Sequence, residues 1–412
     1  MMSEYFDRLE TRNPEARERA AFAAIRAQLA HAKHAAPAMQ RILRAVDPAA
    51  IVDRASLAHV PVTRKSELLE LQKADRPFGG FAATRWGSAA RVFASPGPIY
   101  EPEGRGLDHW RLARALFAAG FRRGDLIHNS FAYHFTPAGS MLETGAHALG
   151  CTVFPAGTGQ TEQQVQAIAD LQPDGYVGTP SFLRIILEKA DELGVAVTSM
   201  RKALVSGEAF LPALRDALAA RGIAGFQAYA SADLGLIAYE TEAREGLVVD
   251  EGVLVEIVRP GTDDPVPDGE VGEVTVTALT NTVYPLVRFG TGDLSAVLPG
   301  ASACGRTNMR IKGWMGRADQ TTKVKGLFVH PSQVAEVVRR YPHIVKARLV
   351  VDNPDATDRM TLHVEAADPR AIAVDAVVAT LREATKLRGD VVPHAPGELP
   401  NDGKVIEDAR KF

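Results

Sequence analysis

Cysteine is scarce. The 412 residues contain two, Cys151 and Cys304, and no neighbouring pair, so neither a disulfide framework nor a cysteine-based zinc site organises the chain; a reducing cytoplasm is the expected compartment. Excess charge of one sign is also missing: 47 basic against 50 acidic side chains leave a net −3. Such a balance provides neither a nucleic-acid footprint nor a basic stripe for a membrane surface, and any ligand is expected to be small. No apolar run reaches the roughly 18 residues of a membrane span. The N-terminus, "MMSEYFDRLETRNPEARERAAFAAIRAQLA", is charged and helical in pattern rather than a basic cap before an apolar stretch, so neither export nor anchoring is expected.

What is present is a globular composition, 46% hydrophobic and 24% charged, in a chain long enough for one large core and a second domain. Residues 1–75 carry Ala-rich amphipathic segments and predict a helical lead-in. From about 108, helical patterns alternate with short apolar runs: "HWRLARALFAAGF" before "DLIHNSF", "MLETGAHALG" before "CTVFPAG", "TEQQVQAIADLQ" before "DGYVGTP". This alternation predicts an α/β fold with parallel sheets covered by helices. Residues 246–315 turn strand-rich, with "GVLVEIV" and "GEVTVTAL" divided by "PGTDDPVPDGEVG". The tail from 316 to 412 begins afresh with enough pattern for a small α+β domain.

Ligands of open parallel sheets bind beyond the carboxyl ends of the strands. The loops expected there are "PAGTGQT", "GTPS", "SGEAF" and "AYASADLG". Each combines small residues with a hydroxyl or a carboxylate. Any one of them also suits a plain turn, and in "AYASADLG" a helix N-terminus capped by Ser231 or Asp233 is the simpler local reading. Their recurrence after successive strands is what favours a site.

Taken together and in order, these loops resemble the adenylate-forming (AMP-binding) superfamily, and within it the phenylacetate–CoA ligase-like branch, over roughly residues 85–410. The resemblance implies that a carboxylate attacks the α-phosphate of ATP and that a thiol, usually coenzyme A, then displaces AMP. "SGEAF" resembles the stretch that lies against adenine, which implies nucleotide contacts for Ser206, Gly207 and Glu208. "AYASADLG" resembles the motif whose aromatic packs on the purine and whose acid holds magnesium, which points to Tyr229, Ser231 and, for the metal, Asp233. "RFGTGD" resembles the ribose-binding motif, with Asp293 as the acid for two vicinal hydroxyls. "GWMGRADQTTKVKGLFVHPSQVAEVV" resembles the hinge region, placing Arg317 near ribose and phosphates and making Asp319 the pivot of a mobile lid, 316–412, on a nucleotide- and acyl-binding domain, 1–315. The closing "LPNDGK" implies that Lys404 is catalytic, neutralising charge at the α-phosphate. "CGRT" also matches, with Cys304 read as structural. Phe131, Tyr133, His134 and Phe135 would line the acyl pocket and stack on an aryl or arylalkyl acid such as phenylacetate; core packing is the competing reading. The implied partners are a carboxylic acid and CoA, and the family leaves room for a homodimer.

One stretch breaks the pattern. By register "ASPGPIYEPEG" is the phosphate-gripping loop, with Ser95 and Gly97 as its donors, and by composition it lies between a strand and a helix. Pro96 and Pro98 lack amide hydrogens, and Glu101 and Glu103 are expected to repel a polyphosphate. Every charge-assisted hydrogen bond missing from such a loop forgoes about 1.5–3 kcal/mol. Two readings follow: a working acyl-CoA ligase with an altered pyrophosphate grip, or a degenerate protein that holds AMP, an acyl-adenylate or a CoA ester without making it.

Overall fold

The computed structural model describes residues 4–95, 98–324, 327–353, 358–400 and 404–410. Near the N-terminus the Ala-rich segment forms the helix Pro14–Ala35, which Asn13 caps by accepting the Ala16 amide, with proline in its first turn. Phe22, Ile25, Leu29 and Ala32 recur at three- and four-residue spacing and bury one face.

The main sheet has nine strands. Five are parallel, in the order Thr152–Pro155, Leu126–Asn129, Gly175–Gly178, Lys202–Val205 and Ala224–Ser231. The helices Ala138–Leu149, Thr161–Leu171, Pro180–Glu192 and Pro212–Ala220 provide the crossovers. Antiparallel strands then extend the sheet through Gly235–Tyr239, Leu247–Val249, Arg310–Ile311 and Val297–Leu298. A second sheet runs Thr63–Arg64, Phe289–Ser295, Gly272–Ala278 and Val253–Val258; its last two strands are buried throughout, which explains their continuous β-branched character. The fold is therefore α/β.

Compactness divides the chain into two units. One comprises Met1–Thr291 and Ala296–Trp314, the other Gly292–Ser295 and Met315–Phe412. The smaller unit has a four-stranded sheet, ordered Asp390–His394, Arg359–Ala366, Ile344–Asp352 and Ile406–Asp408. Its helices Pro331–Arg340 and Val374–Thr385 contribute Val334, Val337, Val377 and Leu381 to a core with Leu349, Leu362 and Val364.

Two local expectations are corrected. The stretch after Arg91 is a β-hairpin, Arg91–Ser95 antiparallel to Ile99–Glu103, in the register Phe93↔Glu101 and Ser95↔Ile99. Pro102 is tolerated there because a two-stranded ribbon has two edges that need no ladder donor. "AYASADLG" is likewise a hairpin rather than a helix start: Ser231 pairs with Gly235, and the Ser231 hydroxyl accepts the Leu234 amide at 3.2 Å. Gly235, at φ 74°, makes the return possible.

Candidate functional site

The larger unit brings the two hairpins to a common buried cluster. Both donors of Ser95 turn inward to Glu101: its amide reaches Oε2 at 3.3 Å and its hydroxyl donates to Oε1. Pro96 and Gly97 lie outside the described residues. Glu101 is fully buried; burial, and next the charge of Asp233, push its carboxyl up to about 8. It is thus held mainly protonated at neutral pH. Glu103, also buried, accepts from Arg91 Nη1 at 3.0 Å and from Ser140 Oγ at 3.2 Å. The expected repulsion of a polyphosphate by these two acids is corrected accordingly: one is neutralised by its surroundings and the other by an arginine.

Asp233 occupies the turn of the second hairpin with its side chain fully buried. Its Oδ2 lies 2.5 Å from Lys65 Nζ, and its Oδ1 has no hydrogen-bond partner. These surroundings do not fit a protein-bound divalent cation. An ammonium already compensates the carboxylate, and among the described residues no three His, Cys, Asp or Glu side chains converge as metal ligands. Nothing in the sequence marks this lysine, which falls in the lead-in, where "TRKSEL" reads only as the start of a helix. It opens the helix Lys65–Ala74, directly after the strand Thr63–Arg64 that pairs with Phe289 and Gly290.

Tyr229, half-buried, donates its hydroxyl to Thr291 Oγ1 at 3.2 Å, and Thr291 in turn donates to the Val274 carbonyl at 3.0 Å. That chain fixes the ring on its strand; Thr291 lies in "RFGTGD", but the motif alone does not single it out. Ser206 donates to the Ala228 carbonyl at 2.8 Å. Gly207 has φ 85°, and a Cβ there would meet Thr179 and Phe131 at 3.6 and 3.8 Å. Glu208 accepts the Ser181 amide at 2.6 Å, in the first turn of the helix Pro180–Glu192, where an acid suits the dipole.

The four aromatics expected in an acyl pocket are not gathered. Phe131 is buried in the core with Leu112, Met141 and Leu204. Tyr133 is half-buried and accepts from Asn129 Nδ2 at 2.8 Å; burial, then Glu143, holds its hydroxyl above the ordinary tyrosine range. His134 is exposed, and Phe135 is 78% exposed at φ 62°. Beside them Gly178 is caged: a Cβ would fall 2.1 Å from the Tyr176 hydroxyl oxygen and 2.3 Å from Ser130 Oγ.

In the smaller unit, Asp293 and Arg317 face one another in an isolated bridge, with Arg317 Nη1 donating to Asp293 Oδ1 at 3.1 Å. Gly292 beside them holds φ 76°, and a Cβ there would displace the Arg317 guanidinium, whose Nη2 lies 2.6 Å away. Asp319 falls in the 3-10 turn Ala318–Gln320. Lys404 is exposed and precedes Val405, whose amide donates to Gln320 Oε1 at 2.8 Å. Cys304, in the larger unit, is buried, with Sγ 3.1 Å from Ser302 Oγ and its carbonyl accepting from the Tyr5 hydroxyl.

Comparison with known proteins adds four findings. Residues 109–281 match the family model of the AMP-binding enzymes. The phenylacetate-coenzyme A ligase of Aromatoleum evansii is 33% identical over 337 residues, 78% of this chain and 75% of the relative. That of Thermus thermophilus is 33% identical over 339 residues, 79% and 75% of the two chains. Among solved structures, an open conformation of 2-hydroxyisobutyryl-CoA ligase in complex with 2-HIB-AMP and CoA shares the fold at a TM-score of 0.86 and 24% identity, covering 98% of this chain and 95% of that one. No helix among the described residues is long and apolar enough to cross a membrane.

Proposed function

Since the chain belongs to the AMP-binding enzymes, in their phenylacetate–CoA ligase branch, and is an AMP-forming acid–thiol ligase, we propose that its acid is an aryl or arylalkyl carboxylate such as phenylacetate. The observation that carries this reading is the 33% identity to a phenylacetate-coenzyme A ligase over three quarters of both chains.

In the first half-reaction a carboxylate oxygen attacks the α-phosphorus of ATP and pyrophosphate leaves. In the second, the thiolate of CoA attacks the acyl carbonyl and AMP leaves. Tyr229 gives the purine an aromatic face, braced by Thr291. Asp293 takes the ribose hydroxyls through its carboxylate, which Arg317, on Oδ1, orients. Lys404 serves adenylation, neutralising charge that builds on the α-phosphate. The smaller unit acts as the lid with Asp319 as its pivot, and Tyr133 and Phe135 contact the acid. Magnesium enters this scheme as the counter-ion that ATP carries, not as an ion bound at Asp233.

The reading as a degenerate binder is not favoured. It rested on a proline-rich loop short of phosphate donors and on Glu101 and Glu103 opposing polyphosphate; the second ground falls, because both acids are turned inward and neutralised. A pyrophosphate-release screen across carboxylic acids tests the assignment, with Lys404→Ala as control. Arylalkyl acids should give the highest rates and the control none. A wild type inert toward every aryl acid, or a control as fast as wild type, would refute it.

A further inference from the structure

ATP brings three or four negative charges, and among the described residues of the hairpin around Ser95 the one cation, Arg91, is already paired with Glu103, while the donors of Ser95 are spent on Glu101. A cation is nevertheless present, supplied by another segment. Lys65 Nζ lies 2.5 Å from Asp233 Oδ2, and the two carboxyls of this cluster, Asp233 and Glu101, are completely buried, while the Lys65 side chain keeps 22% of its surface open. Lys65 is therefore the member of these three whose side chain reaches solvent. Gln72 of the Lys65–Ala74 helix exchanges hydrogen bonds with Tyr100 of the hairpin, and the Asp233 turn follows the strand that carries Tyr229.

From this juxtaposition, and resting on the ligase reading above, we infer that Lys65 is a further substrate-contacting residue, the cation that holds the outer phosphates of ATP and then the departing pyrophosphate. Asp233 is a positioning residue. Its buried carboxylate orients the ammonium, and its Oδ1 is a buried polar atom with no hydrogen-bond partner at the same spot. A compact ammonium on a flexible stem can serve a carboxylate and phosphate oxygens together, and a charge-assisted contact to phosphate is among the stronger hydrogen bonds. No bond is made or broken at Lys65; it stabilises charge that moves from the α–β bridging oxygen onto pyrophosphate.

The test separates this role from simple neutralisation of Asp233. Lys65→Met alone leaves a buried carboxylate uncompensated and can unfold the protein, so the decisive variant is Lys65→Met/Asp233→Asn, which removes both charges. It is expected to melt near wild type and to bind AMP within about three-fold of it by calorimetry. ATP should bind at least about ten-fold more weakly, a difference of about 1.4 kcal/mol. Pyrophosphate release should slow by about 100-fold, while conversion of a preformed acyl-adenylate and CoA to thioester stays within about three-fold. A double variant that binds ATP as wild type does, or that loses AMP and ATP equally, would overturn the inference. Calorimetry needs no acid substrate, so a wild type that binds ATP but activates no acid would defeat the ligase reading while the contrast between ATP and AMP still decides Lys65.

Discussion

Arg317 Nη1 donates to Asp293 Oδ1 at 3.1 Å, and a methyl group on the preceding glycine, Gly292, would push that guanidinium aside. The arginine fixes one oxygen of the carboxylate and thereby aims the other. Because ribose is common to ATP and AMP, Asp293→Ala should weaken both by the same factor, on the order of ten- to hundred-fold for hydrogen bonds to a charged group. Titration of the two nucleotides checks this, and a loss confined to ATP would show the carboxylate acting elsewhere.

Glu101 predicts a pH dependence with a definite sign. Its carboxyl is raised from 4.5 to about 8, first by burial and then by Asp233. Between those values the folded protein holds a proton that the unfolded chain has released, so the contribution to stability is greatest below about 4.5 and falls as pH rises toward 8. Glu101→Gln, uncharged and of the same shape, should be close to neutral for stability at pH 5 and stabilising relative to wild type at pH 8. Thermal melts at both values measure it; a variant equally destabilised at both would mean the ionised form is the native one.

Phe131 and Phe135 are four positions apart and should behave oppositely. Phe131 is 7% exposed in the core, and Phe131→Ala should cost about 3–5 kcal/mol in denaturant unfolding. Phe135 is 78% exposed, and Phe135→Ala should stay within about 0.5 kcal/mol. A change in KM for the acid caused by the second variant can then be read as a substrate contact.

Gly178→Ala should destabilise by about 1–3 kcal/mol, since its methyl group would overlap Tyr176 and Ser130, whose hydroxyls hydrogen-bond at 2.5 Å. A lowered Tm with that pair intact in the parent is the expected result, and an unchanged Tm would mean the cage relaxes freely.

Periodic features were legible in the sequence. The alternation of helix and apolar strand from 108 onward pointed to the parallel sheet, because each run carries its own period and its own turn. Of the candidate site, the sequence offered only residues that are consecutive, as in "RFGTGD". Proline and acid in "GPIYEPEG" read locally as loop, yet pairing with Arg91–Ser95 makes that stretch a strand and sends Glu101 inward. Lys65 meets Asp233 only because Thr63–Arg64 pairs with Phe289 and Gly290 and so sets where the helix begins. No local pattern encodes a contact between segments so far apart.

The allotment of Gly292–Ser295 to the smaller unit has a consequence for how this protein can be taken apart. The polypeptide passes from one unit to the other at 291/292, 295/296 and 314/315. A single cleavage at 314/315 therefore does not yield two whole pieces, because it leaves Asp293 on one fragment and Arg317 on the other. The smaller unit is not a cassette that recombination can exchange as one contiguous block. Any chimera joined at that boundary inherits one parent's aspartate and the other parent's arginine, and must reconcile them across the splice.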